Sequence, residues 1–249
     1  MKQAAPRNVS AFTLIEMVLI IAIVMLLALL LLPLLPGGTA KATGISCLNN
    51  LKEIGTAYRL WAGDNGDLVP PQQTIKDGGW ADLLTNADQG AICWTNYALM
   101  ANDMGQSPKV VICPADERTA ALSFANDFDN THLSYFVGVS ANDSFPQSIL
   151  GGDRNLGGGN KPDPDYGFSP ASGKGNDVAV PIAASVSWSL KMHSASNFAG
   201  TGNILLGDGS GQQVSSASFT QDWLRNAAPT TNWPAGRFPG SPSIRLVFP

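Results

Sequence analysis

The sequence contains few charged residues and few side chains suited to metal chemistry. Asp, Glu, Lys and Arg make up 14% of its 249 residues, against about 25% in an average soluble domain. The formal net charge of −4 argues against a nucleic-acid binder, because such a protein needs a basic face to meet phosphates. Two His and three Cys, without CxxC or HExxH spacing, leave little material for a zinc site.

The sequence does not indicate an enzyme either. A hydrolase could in principle combine His193 and Asp208 with a serine, but the sequence lacks the G-x-S-x-G elbow that usually carries a serine nucleophile. His132 stands beside Asp127 and Asp129 in a polar segment, where a solvated histidine is expected. Because 44% of the residues are apolar, the chain can bury a core, which argues against intrinsic disorder. We therefore expect a folded protein that is not an enzyme.

One long apolar run dominates the N-terminus. It extends over residues 12–35 and contains Glu16 as its only charge. As a helix it would rise about 36 Å, against about 30 Å for the hydrocarbon core of a bilayer. The leader, residues 1–11, carries Lys2 and Arg7 and no acid, which predicts a cytoplasmic N-terminus. We therefore predict one transmembrane helix over residues 12–35, with a cleaved secretory signal and a plain anchor as alternatives.

The junction between the leader and the apolar run resembles that of a known family. Residues 10–16, SAFTLIE, are similar to the class III leader junction of type IV prepilins and type II secretion pseudopilins. The resemblance implies that a prepilin peptidase cuts between Ala11 and Phe12 and that the new amine of Phe12 is methylated. Glu16 then becomes the fifth residue of the mature chain. Pro33 becomes the twenty-second, where many family members carry a proline that softens the helix. At the position of Ala11 the family usually has Gly.

Glu16 is the residue on which the expected assembly depends. A carboxylate costs about 2.5–3.5 kcal/mol at the centre of a membrane helix and less near its end, and such residues usually mark function. Its sequence neighbours are apolar, so we expect no partner from them. In a filament, staggered helices would bring the amine of one subunit beside the carboxylate of the next, which offsets the burial cost of both. Glu16 is thus expected to set the register of assembly.

The rest of the chain is predicted to form an amphipathic helix and a head. Apolar residues recur at three- and four-residue steps within residues 36–62, which predicts an amphipathic continuation of the helix. Residues 63–249 form the predicted head, with a C-terminal antiparallel sheet of the kind on which pilin helices pack. The expected fold class is therefore α+β, with one long N-terminal transmembrane and amphipathic helix packed on the sheet.

Local patterns predict the elements of the head. Residues 203–214 predict a hairpin whose turn is Asp208–Gly209, a pair that accepts positive φ. The Gly- and Pro-rich stretch 151–176 predicts a long surface loop, and the Pro-rich tail after Ala228 is expected on the surface. Strands are predicted over four further segments: residues 109–114, 134–139, 178–182 and 185–190.

The head also resembles pilin-like proteins with a DG-type C-terminal domain. Four blocks carry the resemblance in chain order: SCLNNLK at 46–52, ICPAD at 112–116, LGGDRN at 150–155 and GNILLGDG at 202–209. Cys47 and Cys113 lie in these blocks and Cys93 does not. The resemblance therefore implies a Cys47–Cys113 disulfide, formed in an oxidising compartment. His193 precedes Asp208 by more residues than is usual in this group.

Calcium is the only cofactor that the sequence brings into question. Major pseudopilins bind Ca²⁺ through loop oxygens, and the candidate ligands here are Asp153, Asp163 and Asp165, with Asn155 and Asp177 as further oxygen donors. EF-hand spacing is absent from the sequence, and acid-rich surface loops are mostly just solvated. Both interpretations stay open.

The resemblance implies a structural subunit of a type II secretion or type IV pilus-like filament. The expected partners are a prepilin peptidase, other pilin-like subunits, the secretion or pilus platform and the membrane. The expected location is the inner membrane, with a cytoplasmic N-terminus and a periplasmic head until assembly extracts the subunit. The alternative is a monomeric, membrane-anchored binding domain that keeps its leader and displays the head. Crosslinked oligomers that depend on the helix would support the filament, and strict monomers would support the display domain.

Overall fold

The chain divides into two compact units, Met1–Thr39 and Ala40–Pro249. The structure is a computed structural model. It describes residues 12–31, 35–85, 92–141, 145–169, 171–192, 200–224 and 243–249. The first unit contains the apolar run, and the second contains all the described strands.

Helix α1 (Leu14–Leu31) occupies the apolar run. Its 18 residues rise about 27 Å, which is less than the roughly 30 Å of a bilayer's hydrocarbon core. Within the described ranges, no helix is both long enough and apolar enough to cross a membrane. The predicted transmembrane helix over residues 12–35 is therefore wrong. The single-pass inner-membrane location, which depended on that helix, is wrong for the same reason.

Helix α2 (Leu35–Asp64) takes the place of the predicted amphipathic continuation. Residues 32–34, which include Pro33, lie outside the described residues, so the predicted softening of the helix at Pro33 does too. The buried positions of α2 follow three- and four-residue steps, as in an amphipathic helix: Leu51, Ile54, Tyr58 and Trp61. After Asp64 the chain turns through Gly66 and Asp67, whose φ values are +69° and +60°.

A six-stranded antiparallel sheet forms the centre of the head. Its strands are β1 (Tyr135–Gly138), β2 (Ile149–Asp153), β4 (Asn176–Pro181), β6 (Thr201–Leu206), β7 (Gly211–Ser215) and β8 (Ser243–Phe248). Their spatial order is β4-β8-β1-β2-β6-β7, and every neighbouring pair is antiparallel. A second, two-stranded antiparallel sheet pairs β3 (Leu156–Gly158) with β5 (Val186–Trp188).

Both faces of the large sheet are covered. Side chains alternate between the faces of a strand, and the buried residues accordingly fall into two clusters. Val137, Leu205 and Val247 pack in the cluster that includes the buried face of α2. Phe136 and Leu246 belong to the second cluster, which includes Trp188 and Phe219.

Short helices connect these elements. Helix α3 (Cys93–Leu99) lies between α2 and the sheet in sequence, and α4 (Ser216–Ser218) continues into a π-helical turn, Phe219–Trp223. Single 3₁₀ turns form at Pro70–Gln72, Ile75–Asp77, Ala81–Thr85, Pro108–Val111 and Asn130–His132.

Three predictions for the head were wrong. Residues 109–114 were expected to form a strand, but a 3₁₀ helix forms at Pro108–Val111, where the proline supplies the φ of a first helical position. The predicted loop 151–176 contains most of β2 and all of β3. Part of the expected surface tail is the buried strand β8, while residues 225–242 lie outside the described residues.

Candidate functional site

Helix α1 exposes apolar side chains on all sides. Every residue from Phe12 to Leu29 is exposed. Phe12 retains 71% of its accessible surface and Leu14 retains 82%. A helix of a globular domain usually buries one apolar stripe, and large exposed apolar surfaces mark interaction sites. Helix α1 is therefore the candidate interaction surface.

Glu16 and Thr13 form a capping box at the start of α1. The Thr13 N–H donates to Glu16 Oε2 at 2.8 Å, and the Thr13 hydroxyl donates to the same oxygen at 2.6 Å. In return, the Glu16 N–H donates to Thr13 Oγ1 at 3.4 Å. This pairing satisfies donors that a helix start leaves unpaired. The expectation that Glu16 finds no partner among its sequence neighbours is wrong, and the T-x-x-E spacing is the signal that could have corrected it.

The predicted cleavage junction is described only on one side. Ala11 and the rest of the leader lie outside the described residues, whereas Phe12 is the first described residue and is exposed. Cleavage between Ala11 and Phe12 and methylation of Phe12 stay predictions.

A disulfide joins Cys47 of α2 to Cys113. This is the pair that the resemblance implies. Both residues are fully buried. One turn further along α2, Asn50 Nδ2 donates to the Ile112 carbonyl oxygen at 2.8 Å, so the same two segments share a covalent link and a polar one. Cys93 is a buried free thiol, and its burial raises its pKa.

Asp208 and Gly209 lie in the turn between β6 and β7. Gly209 has φ +78°, in the left-handed region that favours glycine. Asp208 Oδ1 accepts a hydrogen bond from the Ser210 N–H at 2.8 Å. Two hydrogen bonds from Ser210 hold the pKa of Asp208 below its usual value, and the one from the side chain has a larger effect than the one from the backbone. The pair therefore does what its sequence predicts, which is to make a turn.

The turn packs directly against the backbone of α2 at Gly55. A Cβ added to Gly55 would lie 2.7 Å from the Gly209 carbonyl oxygen and 2.7 Å from Leu205 Cδ1. No side chain larger than hydrogen fits between the helix and the turn at this point. Sequence reasoning assigned the turn but missed the role of Gly55. The available signal was a glycine among the buried positions of an amphipathic helix.

The ICPAD and LGGDRN blocks meet in a buried ion pair. Arg154 donates to the Asp116 carboxylate through Nε and Nη2, at 2.7 Å each, and the two side chains are 3% and 0% exposed. The Arg154 guanidinium also lies 3.3 Å from the centroid of the Tyr166 ring. Burial acts to raise the pKa of Asp116, but the hydrogen bonds and charge of Arg154, together with hydrogen bonds from Ser134 and Arg118, outweigh it, so the pKa is lowered. Sequence reasoning listed both blocks without foreseeing that they pair.

Polar groups around this ion pair bind other parts of the head. The Ser169 hydroxyl donates to the Pro249 carbonyl oxygen at 2.6 Å. Arg118 Nη1 donates to the carbonyl oxygens of Asn130 and Leu133, at 2.7 Å each. These contacts connect distant segments of the chain, and they indicate a structural role rather than a ligand site.

Two of the calcium candidates, Asp153 and Asp163, accept hydrogen bonds within the chain through their carboxylates. Asp153 is fully buried, and its Oδ2 accepts a hydrogen bond from the Asn203 N–H at 2.5 Å. Asp163 Oδ1 accepts from the Asp165 N–H at 2.7 Å, on an exposed loop. In the part of the chain that the structure describes, no group of three or more His, Cys, Asp or Glu side chains could hold a metal ion. Calcium binding stays a prediction for these residues.

The other described candidate ligand and histidine residues lie in separate parts of the head. Asp177 pairs with Arg245, whose Nε donates to Asp177 Oδ1 at 2.7 Å. His132 Nδ1 lies 3.1 Å from Asp129 Oδ1 at the surface, and His193 lies outside the described residues.

No protein-family model, curated protein sequence or solved structure matches the chain.

Proposed function

We propose that this chain is a structural subunit of a filament of the type II secretion or type IV pilus kind, and that a prepilin peptidase removes its leader. The observation that carries the proposal is helix α1, an apolar helix exposed on all sides, with one carboxylate in its first turn. The SAFTLIE junction at residues 10–16 supports the same function.

The exposed surface of α1 favours association with further subunits. Apolar surface in contact with water costs about 25 cal/mol per Å², and packing α1 against the same helix of other copies removes that cost. Because apolar side chains surround the helix, it can contact more than one neighbour. Contacts between different faces of identical subunits do not have to form a closed ring. When they do not, the subunits assemble into an open helical filament.

Assembly would change the surroundings of Glu16. In the single chain its carboxylate is exposed and accepts two hydrogen bonds from Thr13. Helix packing would exclude water, and a buried carboxylate needs a charged or strongly polar partner. Removal of the leader creates an amine on Phe12, and the amine of a neighbouring subunit has the charge that Glu16 then requires.

The head is suited to a structural role. Its cross-links, the Cys47–Cys113 disulfide and the Asp116–Arg154 ion pair, are suited to holding a shape rather than to performing a reaction. A structural role requires no catalytic group, and the proposal uses none.

Replacing Glu16 by Gln tests the proposal. Glutamine can keep the capping box, because that position of the box takes either Glu or Gln, but it removes the charge. The matched control is Glu53→Gln, at an exposed position of α2. Each variant is produced with a prepilin peptidase and a filament system. Leader removal is followed by mass spectrometry, and assembly by crosslinking and electron microscopy.

We expect Glu16→Gln to be processed but not to assemble, while Glu53→Gln does both like the wild type. Ala11→Leu should act one step earlier and leave the full-length precursor. A Glu16→Gln protein that assembles normally would contradict the role of the charge. A wild-type chain that stays strictly monomeric would contradict the filament and favour a display domain.

A further inference from the structure

A single Asn–Gly pair occurs in the sequence, Asn65–Gly66, directly after the end of α2 at Asp64. Asn65 is half-buried and Gly66 is exposed, with φ +69° at Gly66. Glycine has no side chain to shield its backbone nitrogen and can adopt many conformations. This dipeptide is therefore the point of the chain where a backbone nitrogen most readily reaches the side-chain amide before it.

Three hydrogen bonds hold Asn65 in place. Its Nδ2 donates to the Trp61 carbonyl oxygen at 2.7 Å, and its N–H donates to the Ala62 carbonyl oxygen at 3.0 Å. Its own carbonyl oxygen accepts from Gln73 Nε2 at 2.5 Å. We call this set, Trp61, Ala62, Asn65, Gly66 and Gln73, the Asn65 corner. The corner fixes both the side chain and the peptide group that would have to rotate for the amide to react.

We propose that Asn65 is a deamidation site, that opening of the Asn65 corner controls its reaction, and that the product cannot close the corner again. In the reaction the Gly66 nitrogen attacks Asn65 Cγ. A bond forms between these atoms, the Cγ–Nδ2 bond breaks, and ammonia leaves with the proton of the Gly66 N–H. Water then adds to the cyclic imide and opens it to aspartate or isoaspartate. The reaction consumes one water, releases one ammonia and needs no oxidant or reductant.

The folded corner slows the first step. While Nδ2 is held on the Trp61 carbonyl and Gln73 holds the Asn65 carbonyl, Cγ cannot turn toward the Gly66 nitrogen. Reaction therefore requires a local opening, and local openings cost less free energy than global unfolding in surface turns of this kind. The rate of deamidation then reports how often this end of α2 opens.

The product makes the opening permanent. Aspartate places an acceptor where the amide placed a donor, so it faces the Trp61 carbonyl oxygen as a second acceptor. The new charge also lies at the negative end of the helix dipole, next to Asp64 and Asp67. Isoaspartate adds a methylene to the main chain and alters the turn itself. Both products leave the end of α2 less stable than before.

The rate part of the proposal is tested on the full chain in mildly alkaline buffer. Peptide mapping follows conversion at Asn65 and, as an internal control, at Asn102, an exposed residue that precedes Asp103. The samples are the native wild type, the wild type in urea and the native Gln73→Ala variant. We expect Asn65 to convert many-fold faster in urea than in the native chain. We also expect Gln73→Ala to increase the rate of deamidation at Asn65 several-fold without changing the rate at Asn102.

Equal rates at Asn65 in native and urea samples would overturn the protection by the corner, as would an unchanged rate in Gln73→Ala. If Gln73→Ala increases the rate of deamidation at both asparagines, the substitution loosens the fold in general, and the specific role of Gln73 is refuted. A rate at Asn65 no higher than that at Asn102 in urea would refute the site itself.

The consequence is tested with two substitutions at the same position. Asn65→Asp copies one product, and Asn65→Ser keeps a donor that can reach the carbonyl one turn back without an amide that can react. We expect Asn65→Asp to lower the Tm of the head and Asn65→Ser to leave it close to that of the wild type. Equal melting of Asn65→Asp and wild type would overturn the claim that the product cannot close the corner.

Discussion

Replacing Cys47 and Cys113 together with alanine would open a covalent loop that closes over 66 residues. In the chain-entropy model, releasing a loop of this length lowers the free energy of the unfolded chain by about 4 kcal/mol. Both cysteines are fully buried, so lost packing acts in the same direction. For a domain of this size, 1 kcal/mol corresponds to about 2–4 °C in Tm. We therefore expect the double variant to melt about 10–15 °C below the oxidised wild type.

The assay is thermal and urea unfolding of the purified head, followed by circular dichroism. Wild-type protein unfolded and refolded in reductant should lose the part of this stability that comes from the bond, and the double variant should lose somewhat more, because it also lacks the buried sulfur atoms. Cys93→Ala serves as the matched control, because it removes a buried free thiol without opening a loop. A double variant within about 1 kcal/mol of the oxidised wild type, a change usual for any point mutation, would refute the reasoning. In that case the Asn50 contact would be sufficient to join the two segments.

Two further predictions concern contacts of the head. Gly55→Ala should destabilise the head by about 1–3 kcal/mol through overpacking. The control Gly63→Ala should be neutral or stabilising, because no atom lies within 4 Å of the added Cβ. Urea unfolding measures both variants, and equal effects on stability would contradict the close contact at Gly55. Asp116→Asn leaves Arg154 buried without its anion and should cost about 3–5 kcal/mol. Because the pKa of Asp116 is lowered, this difference should be complete above about pH 4 and shrink as the pH falls through the lowered pKa. Urea titrations across that range check this, and a difference independent of pH would refute it.

Elements with a clear local period were predictable from the sequence. The buried steps of α2 and the hairpin around Asp208–Gly209 follow from spacing and turn chemistry, whereas the α+β class with an antiparallel sheet was implied by the family resemblance. The transmembrane prediction failed because it extended the helix to residue 35, whereas α1 ends at Leu31.

The elements that were missed depend on distant contacts. Strand β2 contains Gly151 and Gly152, which are unfavourable in strands. A Cβ at Gly152 would lie 2.7 Å from the Phe136 ring, so the glycine is required by a neighbouring strand that sequence patterns cannot identify. In the same way, Arg154 is buried because Asp116 is beside it. The Gly55 contact with the turn also joins residues far apart in the chain.

The position of β8 determines when the head can complete its fold. Ser243–Phe248 lies between β4 and β1 and pairs with both, although it follows every other described strand in the sequence. Until β8 emerges from the ribosome, β4 lacks the strand with which it pairs. The edge of β1 that pairs with β8 through Val137 also lacks its partner. The large sheet is therefore completed only when β8 inserts between two strands that precede it, and such long-range strand pairing is slow.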